Sequence, residues 1–281
     1  TAFAEEVAQL LESEDPDILR EAALAAAEVP DPRFIAPLLG LLGRGTVRSA
    51  ARQALVAHGD DALDALAAAL ADPDVPRKVR RHVPRSISRF EPRRAVAILQ
   101  ESYWNETDGA VRYKLLRALG GLASRPGVRL DQARFAAQLR KTLERIVRIL
   151  ELRVALEEGE TPHPRVNGEG LGRELLLATL REKEINAFER AFRIQAILDP
   201  DERYGPLWRG LRAGEPKVRA ASRELLGHAL RGVTRDAFLA LADARPAPER
   251  LTATAAALRM RVGRPGYEDA LRVLLADTSA A

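Results

Sequence analysis

Arg77, Arg81, Arg85 and Arg89 recur at every fourth residue, a spacing that sets four guanidinium groups along one face of a helix. Lys78 and Arg80 flank the row, and His82 lies a little away from it. A guanidinium fork matches a carboxylate or phosphate through two hydrogen bonds at once, so the row is suited to holding an anion. Further on, Arg112, Lys114 and Arg117 add charge around Tyr113. Residues 77–94 carry eight bases and one acid, Glu91, a net of +7, while the whole chain has a net charge of only +4. Residues 1–31 hold nine acids against Arg20 alone, a net of −8. The basic character is local and reads as a patch. The competing reading is a solvated helix face, partly neutralised by the acidic start.

Other chemistries find little support. The chain has no cysteine, which excludes disulfides, thiolate-held zinc and a thiol nucleophile; it fits a reducing compartment. His58, His82, His163 and His228 are too far apart in sequence for any two to share a helix face, so no metal site is expected. No serine sits in a nucleophile elbow, no glycine-rich loop introduces a phosphate-binding helix, and no pattern calls for a cofactor. Trp104 and Asp108, with Trp208 much later, supply aromatic rings and an acid. The plainer expectation has Trp104 ending an apolar helix face and Asp108 capping the next helix. Residues 159–170 form the longest loop and a second candidate contact region.

The positioning elements follow from punctuation and periodicity. An apolar residue followed by Arg recurs at Leu19-Arg20, Val47-Arg48, Val79-Arg80, Val111-Arg112 and Val218-Arg219, with Ala27, Leu55, Ile87, Leu119 and Leu226 seven places after each Arg. The Arg-to-Arg gaps are 28, 32, 32 and 107 residues, the period of stacked helical repeats, with room for further units in the last gap. Helices are expected in pairs: 3–12 with 16–28, 34–42 with 46–58, 61–71 with 75–90, and 93–104 with 110–122. Pro84 should kink the sixth of these. A single long helix over 131–158, about 40 Å at 1.5 Å per residue, carries Phe135, Leu139, Leu143, Ile146, Leu150 and Val154 on one stripe. Helices at 171–183 and 185–198, pairs at 204–212 with 217–230 and 234–244 with 247–262, and an unpartnered helix at 267–276 complete the reading. No segment alternates with period two, so the fold is all-α. In each second helix the apolar positions face inward, and the repeated Arg lies at the stripe's edge, where an Arg–Asp ladder between units is expected.

Asp-Pro-Asp-Ile-Leu-Arg-Glu-Ala-Ala (15–23), Thr-Val-Arg-Ser-Ala-Ala-Arg-Gln-Ala-Leu (46–55) and Pro-Lys-Val-Arg-Ala-Ala-Ser-Arg-Glu-Leu-Leu (216–226) resemble the second helix of short HEAT repeats. The resemblance covers most of the chain apart from 131–170. It implies a right-handed α-solenoid of about seven hairpins, one domain over 1–281, with regular repeats at 1–124 and 199–281 and an irregular insert at 125–198. It implies little about function, because such scaffolds serve many. Residues 79–85 and 111–119, with Glu189-Arg190-Ala191-Phe192-Arg193 and the stretch to Leu226, are also similar to the soluble HEAT region of bacterial proteins whose membrane part resembles ATP/ADP carriers of the major facilitator class.

The sequence thus points to a non-enzymatic scaffold. If second helices line its groove, as in HEAT solenoids, Arg77, Arg80, Arg81, Arg85, Arg89, Arg112, Lys114 and Arg117 would bind an anionic protein surface or a phosphate-bearing ligand. One alternative is the soluble regulatory or assembly part of a bacterial membrane transporter. Another is a DNA-binding or glycosylase-like repair solenoid using Trp104 and Asp108. A tetrapyrrole lyase is a third, without a clear acid–base pair. Nucleic acid is the less favoured partner, since stacking aromatics are scarce in the basic block. No run of about eighteen apolar residues and no signal peptide is seen, which reads as cytoplasmic. The absence of an initial Met suggests a piece of a longer protein.

Overall fold

The computed structural model describes residues 2–159 and 169–276. Among them every regular element is a helix. The chain divides into two compact units, Thr1–Leu130 and Asp131–Ala281, and each is described in its own frame.

In the first unit, α1 (Ala2–Leu10) packs on α2 (Pro16–Glu28), and α3 (Ile35–Leu41) packs on α4 (Arg48–Ala57). Next come α5 (Gly59–Ala71) with the short α6 (Arg77–Arg80) and α7 (Val83–Ile87), then α8 (Pro92–Asn105) with α9 (Gly109–Leu122). Second helices pack on second helices, α2 on α4, α4 on α7 and α7 on α9, while α3 packs on α5 and α5 on α8. The unit is therefore two layers deep, as stacked hairpins require. The inward stripes are the expected ones: Val47, Ala51 and Leu55 in one hairpin, Val79, Val83 and Ile87 in the next, Val111, Leu115 and Leu119 in the last, all nearly or wholly buried. The turns are fixed by side chains. Asp15 accepts from the Asp17 amide, and Pro16 occupies the first turn of α2, where its missing N–H costs nothing.

The expected kink at Pro84 is a break. Without an N–H, Pro84 cannot bond to the Arg80 carbonyl, and its ring crowds the turn before it. Helix α6 stops at Arg80 and α7 starts at Val83. Ser86, wholly buried, donates its hydroxyl to the His82 carbonyl across the gap.

The second unit is built on a hairpin of two long helices, α10 (Gln132–Glu158) and α11 (Glu169–Leu198). Phe135, Leu139, Leu143, Ile146 and Leu150 form the buried stripe of α10. Helix α11 runs unbroken where two helices at 171–183 and 185–198 were expected; residues 183–185, Lys-Glu-Ile, contain neither Gly nor Pro and have no reason to interrupt it. Two more pairs follow, α12 (Tyr204–Leu211) with α13 (Pro216–Ala229) and α14 (Gly232–Leu241) with α15 (Ala247–Leu258). Helix α15 ends four residues earlier than the periodicity suggested, because Arg259 turns into the left-handed region at φ 55°. The last helix, α16 (Tyr267–Ala276), is not unpartnered as expected; it packs on α10 and buries Ala270. Seven sequence-adjacent helix pairs are thus present among the described residues, and the last helix docks on the long hairpin.

Candidate functional site

The recurring Arg lies in or just beyond the first turn of each second helix, where a positive charge opposes that helix's own dipole. What offsets this is the end of the preceding helix. Arg48 Nε donates to the Leu42 carbonyl at 2.7 Å. Arg80 Nη2 donates to the Leu70 carbonyl at 3.0 Å, and Arg219 Nη1 donates to the Ala213 and Gly214 carbonyls at 2.9 and 2.7 Å. Arg48 and Arg80 therefore take up carbonyls that a helix end leaves without partners, and Arg219 takes up two carbonyls of the connection just beyond α12. The expected ladder of Arg and Asp is instead mainly one of Arg and backbone carbonyl.

Two members of the pattern escaped the sequence reading. Arg250 donates to the Leu241 carbonyl at 3.1 Å, although Glu249 rather than an apolar residue precedes it. Arg173, preceded by Gly172, reaches three carbonyls at the end of α10, those of Leu156, Glu157 and Gly159. An Arg near the start of a second helix was the signal; the apolar residue before it was too strict a requirement. Arg20 departs from the pattern and pairs with Asp17, and Arg112 lies over the Tyr103 ring at 4.7 Å.

The eight cations expected to form one patch divide into two groups. Because the helix breaks after Arg80, Arg77 does not continue the row of Arg81, Arg85 and Arg89. Arg77 Nε pairs with Asp108 at 2.6 Å. Arg80 Nη2 pairs with Glu106 Oε2 at 2.6 Å, and Glu106 Oε1 accepts from the Asp108 amide. Asp108 also caps α9 by accepting from the Ala110 and Val111 amides. Burial works to raise the Asp108 pKa, yet those amides and Arg77 hold it below the usual carboxylate range. Asp108 acts as the helix cap that its position suggested, and Trp104 stands edge-on to Tyr103 at 4.7 Å.

Arg85 and Arg89 lie near Arg52, a residue the sequence reading did not single out. The residue is only 9% exposed. Its Nε donates to Ser86 Oγ at 3.2 Å, and no carboxylate pairs with it among the described residues. Burial, then Arg85, Arg48 and Arg89, weaken its hold on its proton. His82 is pushed down to about 4, first by burial and then by Arg48, Arg81, Lys114 and Arg52. These influences place Arg48 and Arg52 of α4, Arg81, Arg85 and Arg89 around α7, and Lys114 of α9 in one field. Arg81, Arg85 and Arg89 are exposed and have no acid partner among the described residues, as is Arg117 on α9. Lys114 lies by the Tyr113 ring at 5.7 Å.

His58 is a structural residue. Its Nδ1 sits 2.7 Å from the Ala54 carbonyl, which requires an N–H there, and leaves Nε2 to accept from the Asp31 amide at 3.2 Å. Among the described residues, no cluster of three or more His, Cys, Asp or Glu could hold a metal, and no helix is long and apolar enough to cross a membrane. The loop at 159–170, with His163, falls almost wholly outside the described residues.

Residues 46–120 match the family model of HEAT repeats. That segment contains α4 to α8 and nearly all of α9, and so includes the cationic cluster. No curated protein matches the chain. The match supports the HEAT-repeat resemblance, and neither it nor the fold bears on the resemblance to carrier-linked proteins.

Proposed function

We propose that the first unit is a non-enzymatic docking surface that captures an anionic protein surface, rich in carboxylate or phosphate, on the cluster around Arg52. HEAT repeats serve protein binding and scaffolding, which agrees with this reading in kind. The observation that carries it is the state of Arg52. A largely buried arginine without a carboxylate, set among three further arginines and with Nη1 and Nη2 making no bond to the described residues, is a costly arrangement for folding alone. It becomes favourable when an acceptor-rich group arrives from outside. Arg85 and Arg89 extend the field to the surface, Arg81 and Lys114 border it through His82, and Arg117 adds charge on α9. Arg77, Arg80 and Arg112 support the site from behind, being held by Asp108, Glu106 and Tyr103.

The test uses a fluorescent peptide alternating glutamate and phosphoserine, titrated at low and physiological salt. Capture should weaken as salt rises, and Arg81→Glu with Arg85→Glu should weaken it at least about tenfold with helicity intact. Unchanged affinity in that variant overturns the reading, as does tighter binding of duplex DNA than of the peptide.

A further inference from the structure

The second unit contains a cleft of about 620 Å³, a size typical of small-molecule sites. Its apolar lining includes Phe188, Trp208, Leu211 and Leu241. Trp208 is held in place from behind, with Phe188 edge-on at 5.7 Å and Phe192 tilted at 5.2 Å. Six arginines and two carboxylates also line it, so the charge balance there is uneven. Both carboxylates of the cleft are already engaged. Glu184 accepts from Arg153 at 2.8 Å through one oxygen and from Arg250 through the other. Asp243 Oδ2 accepts from Arg223 at 2.8 Å and Arg245 at 3.1 Å, and Oδ1 accepts from the Arg245 amide.

The cations left over are Arg212 and Arg219. Arg212 is exposed and, among the described residues, meets only the Trp208 ring, at 5.8 Å. Arg219 uses Nη1 for the Ala213 and Gly214 carbonyls and keeps Nη2 and Nε. The cleft therefore offers donors and flat apolar surface, and its carboxylates are spent. A ligand that satisfies both must carry an acceptor-rich anion on a flat apolar body, since aromatic faces and guanidinium planes both stack on rings.

We infer that this cleft binds a small aromatic anion of the nucleoside monophosphate class, its ring on Trp208 and its phosphate on Arg212 and Arg219. The site shares no residue with the cluster around Arg52.

The chain has two tryptophans, so a Trp104→Phe variant makes fluorescence report on Trp208 alone. Guanosine monophosphate should quench it saturably, with guanosine and inorganic phosphate each about tenfold weaker or more. Arg212→Glu, at a residue that holds no backbone carbonyl, should weaken quenching at least about tenfold, and Arg85→Glu should leave it unchanged. The inference is overturned by the absence of saturable quenching, by phosphate binding as tightly as the nucleotide, by Arg212→Glu having no effect, or by Arg85→Glu abolishing it.

Discussion

Arg80 joins three helices through one guanidinium: Nη2 donates both to the Leu70 carbonyl of its own hairpin and to Glu106 Oε2 before the next. Both side chains are well buried, with 12% of Arg80 and 4% of Glu106 exposed. Removing one partner leaves the other charged and dry, at a cost of about 3 kcal/mol or more, while replacing both with apolar residues costs far less. Arg80→Met and Glu106→Leu should therefore each lower the urea midpoint strongly, and the double variant should recover much of the loss. Additive losses in the double-mutant cycle would contradict the coupling.

His82 makes the cationic cluster measurable. Arg48 and Arg52 face it from α4, Arg81 precedes it, and Lys114 faces it from α9. Its folded pKa, about 4, lies below the ordinary value of 6.5. The unfolded chain therefore takes up a proton that the folded one refuses, and this contribution to stability, full above pH 6.5, is lost as pH falls towards 4. A bound anion favours the imidazolium and must raise this pKa. An NMR titration of His82 should show an upward shift on adding the phosphorylated peptide, with proton uptake on binding near pH 5. Burial is the first cause of the depression and the cations the second, so a free-state pKa near 6.5 would show that His82 is neither buried nor set among these cations in solution.

Helix pairing was legible in the sequence because its signals are local. Asp15-Pro16 and Asp108 mark helix starts through bonds to amides two or three residues away, and the Val47, Val79 and Val111 stripes need only a 3.6-residue period. The candidate site was half legible. The excess of cations over 77–94 was plain, but which of them are spent depends on Glu106 and Asp108 about thirty residues on. Arg52 was hidden because one Arg amid alanines looks like any helix surface. Its hydrogen-bond partner, Ser86, belongs to the next hairpin, 34 residues away. The cleft in the second unit was less legible still: its cations come from four helices and a connection, and only packing brings them together.

Glu184 sits between Arg153 and Arg250, each about 15% exposed or less, and is itself buried. Burial works to release the Arg153 proton, but hydrogen bonds to Glu157 and Glu184 hold it above the usual arginine value. Glu184→Gln keeps the shape and removes the carboxylate that the two guanidinium groups share. The cost should be about 3 kcal/mol, which at about 2–4 °C per kcal/mol lowers the melting temperature by roughly 6–12 °C. A thermal scan followed by circular dichroism measures this, and a change below about 2 °C would show the triad to be energetically idle.

Arg259 stops α15 in a conformation that L side chains adopt with strain, φ 55° and ψ 39°. The backbone there is well bonded: the Arg259 amide donates to the Ala256 carbonyl at 3.1 Å and the Met260 amide to the Ala255 carbonyl at 2.8 Å. These bonds follow the pattern that glycine usually terminates. Arg259→Gly relieves the clash between Cβ and carbonyl and leaves both bonds in place. It should raise stability by about 1 kcal/mol, less a few tenths for the freer unfolded chain. Arg259→Val, β-branched at the same φ, should destabilise by at least as much. Urea unfolding of the two variants beside the parent decides the matter, and a destabilising glycine would mean that the arginine side chain contributes more than its backbone costs.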